Sequence, residues 1–195
     1  APCADPANGG CYTPANHPYG RHNYTMFHFL LPHLEQDNIY RLLSISGYGG
    51  GQYFQPVPVL CCPSDPSIQS FKNTAPNGGA NNWGASSYGG NNYVFGDPAA
   101  GHAYGTTRIN KIPDGATNTI FFAEVYGTCG NSGDINTARG SLWADANSVW
   151  RPGYNLANGS KGNVSGFPAA LLPQNQPHYI NTCDPSRPQS GHSGG

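Results

Sequence analysis

The chain has 195 residues, 27 of them glycine and 18 proline, a formal net charge of −1 and only 10% charged residues. Nine scattered Lys and Arg cannot supply the basic face that counterion release requires, which excludes nucleic-acid binding by bulk charge, and so many helix breakers exclude a coiled coil or helical bundle. With 12% aromatic residues the chain can bury substantial surface, so charge-driven disorder is excluded as well.

One loop-rich α+β, mainly β domain over residues 1–195 is the expectation. Residues 1–23 are Pro/Gly/Asn punctuation and read as an ordered surface loop held by cystine. Leu30, Leu31, Leu34, Ile39, Leu42 and Leu43 recur at spacings near three and four, which predicts a helix over about 31–43 with Pro32 in its first turn and Tyr24–Phe29 extended before it. Gly47 and the Gly49-Gly50-Gly51 run should end it. Val57 to Cys62 reads as a short apolar strand closed by the turn Pro63-Ser64-Asp65-Pro66.

Ser87 to Phe95 predicts a strand in which Gly89 and Gly90 mark a bulge or a close backbone approach. Arg108 to Ile112 alternates and is broken by Pro113-Asp114-Gly115. Thr119 to Tyr126 is β-rich and apolar on both faces, the strongest strand signal of the chain. Ser141–Ala144 and Ser148–Trp150 are short candidates beyond it. No apolar run of the roughly 18 residues needed to span a bilayer occurs, and the start Ala1-Pro2-Cys3 lacks a signal-peptide pattern.

Six cysteines, Cys3, Cys11, Cys61, Cys62, Cys129 and Cys183, show no Cys-x-x-Cys zinc spacing. They are read as disulfides formed in an oxidising compartment, with Cys62 oxidised, against the alternative of buried free thiols; six allow about 15 pairings. Sequons at Asn23, Asn158 and Asn163 fit an exported surface.

Several blocks now resemble one family. Leu30-Leu31-Pro32-His33-Leu34-Glu35-Gln36-Asp37-Asn38-Ile39-Tyr40 looks like its helix, Val57-Pro58-Val59-Leu60-Cys61-Cys62-Pro63-Ser64-Asp65-Pro66 its strand and turn, and Ser87-Tyr88-Gly89-Gly90-Asn91 its Asn-Tyr-Ala-Gly-Asn block. Ile112-Pro113-Asp114-Gly115-Ala116-Thr117-Asn118-Thr119-Ile120 follows, with Glu124 matching the Glu after it. The resemblance is to the family catalogued as domain of unknown function 1559, abundant in planctomycete-type bacteria and similar to type IV prepilins and type II secretion pseudopilins. Its members begin with a prepilin peptide and a long apolar helix and end in a His, nine residues, then Asp-Gly. Here His192 supplies the His, and neither the helix nor the Asp-Gly is present. The resemblance implies a pseudopilin-like antiparallel sheet with one packed helix, self-association into a filament, and, as in major pseudopilins, a calcium ion held by loops.

Motif chemistry is thin. Gly191-His192-Ser193-Gly194-Gly195 matches Gly-x-Ser-x-Gly, but that elbow needs a later Asp and His, and none follows. The histidines at 17, 22, 28, 33, 102, 178 and 192 show no His-Glu-x-x-His spacing and read as solvated or structural, with copper or zinc ligation the alternative. Asp65, Asp97, Asp114, Asp134, Asp145 and Asp184 lie in turns, where they suit either calcium or Asx turns. Glu35 and Glu124 are the only glutamates, too few for paired-carboxylate chemistry; Glu124 is expected to pair with Arg108. Trp83, Tyr88, Trp143 and Trp150 are candidate interaction platforms for glycans or subunits, or else core.

These readings converge on a non-enzymatic structural subunit of an extracellular pilus-like filament or secretion pseudopilus, located outside the cell or on its surface, without nucleic-acid partners or a membrane span. A secreted glycan- or calcium-binding module is the alternative, and a hydrolase comes third.

Overall fold

Pro32 shapes the first part of the fold. The computed structural model describes residues 25–43, 47–74, 81–96, 108–130, 139–145, 150–154 and 172–193. Cys3, Cys11, Asn23, Asn158 and Asn163 lie outside the described residues. In place of one helix over 31–43, the chain forms helix α1 (Met26–Leu30), a 3-10 turn (Leu31–Leu34) and helix α2 (Asp37–Tyr40). Proline has no N–H for the α-helical ladder, so the chain tightens at Pro32. Glu35 then takes the left-handed conformation (φ 58°), and the Gln36 N–H closes the turn on the Leu31 carbonyl at 2.9 Å. The apolar periodicity survives the break in part: Leu31 and Ile39 are buried, as is Phe27 ahead of them, whereas Leu42 is 61% exposed.

The segment expected to be extended, Tyr24–Phe29, contributes α1 instead. His28 occupies its N3 position, and the Thr25 N–H donates to His28 Nδ1 at 2.9 Å, the role usually taken by Glu or Gln in a capping box. A further single-turn helix, α3 (Gly47–Gly50), follows.

Short strands carry the rest. β1 (Ile68–Gln69) pairs antiparallel with β2 (Lys72–Asn73). The central sheet has the order β4-β3-β7, with β3 at Tyr88–Asn91, β4 at Phe122–Glu124 and β7 at Gly153–Tyr154. β3 runs antiparallel to β4 and parallel to β7. β5 (Thr128–Cys129) pairs with β6 (Arg139–Gly140), and β8 (Gln174–Asn175) lies parallel to β9 (Gln189–Ser190). The fold is α+β and mainly β, with mixed rather than purely antiparallel sheets.

Glycine in β3 marks close approach, as expected. A Cβ on Gly90 would lie 2.5 Å from Met26 Sδ, and one on Gly89 would lie 3.2 Å from the Gly153 backbone. The strand ends where Asn91 caps helix α4 (Asn92–Phe95), its Oδ1 accepting the Tyr93 N–H at 3.0 Å. Two other expected strands are 3-10 turns: Pro58–Leu60, where Pro56 and Pro58 both lack ladder donors, and Ile109–Lys111. The strong signal at 119–126 yields only the three residues of β4. Among the described residues it is an edge strand, and Phe122 and the nearby Ile120 are exposed rather than covered on both faces.

The core gathers Phe27, Leu31, Ile39, Val57, Leu60, Trp143 and Ala144. At its centre Trp143 is fully buried, 5.0 Å from the His28 ring, with Nε1 donating to the Gln55 carbonyl at 2.9 Å.

Candidate functional site

The turn after Leu60 is fixed by one buried carboxylate. Asp65 Oδ1 accepts from the Ser67 N–H (2.9 Å) and hydroxyl (2.6 Å), the Asx-turn pattern. Its Oδ2 accepts from the Ser87 hydroxyl (2.8 Å) and the Gly127 N–H (2.9 Å). The turn is thereby tied to the start of β3 and to the chain leaving β4. The Asp65 N–H also closes on the Cys62 carbonyl at 3.1 Å, and Cys62 Sγ accepts the Ser64 N–H at 3.4 Å.

The C-terminal segment arrives under covalent control. Cys129 at the end of β5 forms a disulfide with Cys183, 54 residues later. Beyond it, Gln189 Oε1 accepts the Tyr126 N–H at 3.0 Å, so β9 docks beside β4. Gly191 follows and packs on the turn: a Cβ there would lie 2.2 Å from the Ser64 carbonyl oxygen. That approach carries the next residue, His192, over Cys62.

Three side chains meet at this point. His192 Nε2 lies 3.3 Å from Cys62 Sγ and 3.3 Å from Glu124 Oε1. Among the described residues, Cys62, Glu124 and His192 bring their donor atoms within 4.8 Å of one another. Ser190 sets the carboxylate: its hydroxyl donates to Glu124 Oε2 at 2.6 Å and accepts the His192 N–H at 3.1 Å. Cys62 is buried, Glu124 is partly covered and the His192 side chain is about half exposed. An open groove of about 400 Å³ runs alongside, lined by Ala123, Pro173, Pro188 and Gln189 as well as by Glu124 and His192.

The arrangement differs from a nucleophile–base–orienter relay. There the orienting group holds the ring nitrogen that the nucleophile does not use, whereas Cys62 and Glu124 here face the same nitrogen.

Several sequence expectations are corrected. Cys61 and Cys62 carry free thiols, so Cys62 is not in a disulfide. Cys61 donates to the Ala85 carbonyl at 3.4 Å, and burial, with the nearby Asp65 and Cys62, pushes its thiol up to about 12. Glu124 binds Ser190 and His192 rather than Arg108. Trp143 and Trp150 are buried and form no platform; Trp150 packs across Gly140. Trp83 and Tyr88 are partly covered, and Trp83 lies 4.2 Å from the Tyr53 ring.

Two of the turn aspartates, Asp65 and Asp184, are engaged internally, whereas Asp114 is exposed. Asp65 is consumed by its four bonds. Asp184 accepts from Ser186 and from Arg187 Nε at 3.0 Å. Burial works to raise its pKa, but the Ser186 bonds and the Arg187 charge outweigh that and hold it below the usual carboxylate range. Asp97 and Asp134 lie outside the described residues.

A family model described as "Protein of unknown function (DUF1559)" matches residues 4–195. The chain belongs to this family. No curated protein and no solved structure matches it. From sequence, Cys62 reads as half of a cystine, Glu124 as a partner of Arg108 and His192 as a solvated or structural residue. Ser190 was not singled out at all. One signal was available: three of the segments that carry the DUF1559 resemblance contain one of the three converging residues each.

Proposed function

We propose that this DUF1559 chain is a non-enzymatic structural subunit of an extracellular, pilus-like filament or secretion pseudopilus. The supporting observation is an apolar surface at the edge of the central sheet. β4 is an edge strand; Phe122 within it is 41% exposed and Ile120 just before it is 65% exposed. Phe122 also stands on Phe95 of α4, ring centroids 5.1 Å apart, so the exposed groups are backed by a rigid aromatic layer. Exposed apolar groups on a sheet edge favour association with a further chain. The disulfide between Cys129 and Cys183 suits an oxidising environment. No helix among the described residues is long and apolar enough to cross a membrane.

Negative-stain microscopy and sedimentation of the concentrated protein test the reading. Repeating polymers are expected, lost in Ile120→Asp, the more exposed of the two positions, while the melting temperature of the monomer holds. A wild-type chain that stays monomeric at high concentration overturns it.

Glycan binding is the second reading, favoured by one observation. An open hollow of about 410 Å³ is lined by Gln69, Asn73, Asn81 and Asn82 with Lys72, and Phe71 nearby is 45% exposed. Amides beside an exposed ring suit sugar hydroxyls and a sugar face.

A further inference from the structure

We propose that Cys62, Glu124 and His192 form a binding site for a borderline transition-metal dication, of which zinc fits the donors best. The site is independent of the filament reading, because it uses none of the exposed residues at Ile120 and Phe122.

Hydrogen bonding alone accounts poorly for the cluster. His192 Nε2 offers one hydrogen or one lone pair, yet it faces both the Cys62 sulfur and a Glu124 oxygen at 3.3 Å. A hydrogen shared between the two is linear to neither. A cation placed among the three atoms satisfies all of them at once. With ordinary zinc–sulfur, zinc–nitrogen and zinc–oxygen bonds at tetrahedral angles, donor atoms stand about 3.3–3.6 Å apart. The 3.3 Å between Nε2 and Glu124 Oε1 meets that requirement as it stands, Nε2 and Cys62 Sγ at 3.3 Å need open by only about 0.3 Å, and the sulfur and carboxylate already lie within 4.8 Å.

The donor types select the metal. Thiolate and imidazole suit zinc and its neighbours, whereas calcium and magnesium take all-oxygen shells. One sulfur, one nitrogen and one oxygen therefore indicate zinc, cobalt or nickel chemistry rather than the calcium suggested by the turn aspartates.

Supporting contacts orient the donors. Ser190 bonds the Glu124 oxygen that faces away from the ring and takes the His192 N–H, so one hydroxyl aligns two donors. The Ser64 N–H donates to Cys62 Sγ at 3.4 Å and helps fix the direction of the sulfur. Such contacts around a metal site set ligand direction and affinity. Three protein donors leave a fourth position, and the groove beside Glu124 and His192 opens it to water or to a small anionic ligand.

Titration of the intact, unreduced protein with Co²⁺ and Zn²⁺ tests the assignment. One ion per chain is expected, with a sulfur-to-cobalt charge-transfer band that added Zn²⁺ abolishes. His192→Ala, an exposed position whose loss leaves the core intact, should weaken binding more than about 100-fold, and Ser190→Ala by about 10–100-fold. Cys62→Ser should remove the charge-transfer band. A cobalt complex without that band overturns the proposal, as does an isotherm unchanged by His192→Ala, or peptide mapping that finds Cys62 in a disulfide. If Cys62→Ser fails to fold, the wild-type band and the His192→Ala isotherm decide between these outcomes.

Discussion

Gly191 sits against the Ser64 carbonyl so closely that a Cβ would come within 2.2 Å of its oxygen, and this contact brings the C-terminal segment onto the turn that presents Cys62. Gly191→Ala should lift the segment away. We expect a loss of about 1–3 kcal/mol in urea unfolding and a shifted His192 ring resonance in NMR spectra. An unchanged ring signal would show that His192 is held by other means.

Asp65 ties the Cys62 turn to β3 and to the chain after β4. Asp65→Asn places an NH₂ group opposite donors, leaving buried N–H or hydroxyl groups unmatched, and should destabilise the protein by about 2–4 kcal/mol. Chemical denaturation measures this. A change below about 1 kcal/mol would mean that the four bonds to Asp65 are replaceable.

His28 gives the stability a pH dependence of known sign. It is fully buried against Trp143, and burial pulls its pKa down from 6.5 to about 3, with the Thr25 contact acting weakly in the other direction. The unfolded chain therefore binds a proton between these values that the folded chain refuses. Stability from this residue is complete above about pH 6.5 and falls as pH drops toward 3, by a total on the order of 5 kcal/mol. His28→Asn, with an acceptor near the Nδ1 position, should be less stable at pH 7 and show a flatter profile over that window. A wild-type profile flat from pH 7 to 4 would contradict the assignment.

Reduction of the bridge between Cys129 and Cys183 should cost about 4 kcal/mol, the loop-closure value for its 54-residue separation. Thermal melts with and without reductant measure it. The double variant Cys129→Ala/Cys183→Ala should melt at the reduced temperature and be insensitive to reductant.

The legible parts of the fold were those written in local sequence. The apolar period from Leu30 to Leu43 marked Leu31 and Ile39 as core even though Pro32 and Glu35 break the helix, because side-chain direction depends on local turns, but it misplaced Leu42, which is 61% exposed past the break. Gly89 and Gly90 announced close approach because only a missing side chain permits it. What stayed hidden was non-local. The fates of Cys62, Glu124 and His192 depend on the docking of β9 beside β4, which no spacing encodes. Trp143 and Trp150 could not be separated from surface aromatics, since burial is decided by elements remote in the chain. The edge position of β4 was hidden for the same reason.

Gly89 and Gly90 reverse the usual relation between size and tolerance. With Met26 resting on one and the Gly153 backbone on the other, the middle strand works as a thin shim between a helix and a neighbouring strand. Any thickening there pushes both layers outward. The residues with least to lose are thus hard to replace, and an exhaustive substitution scan should find little tolerance at two places with no side chain at all.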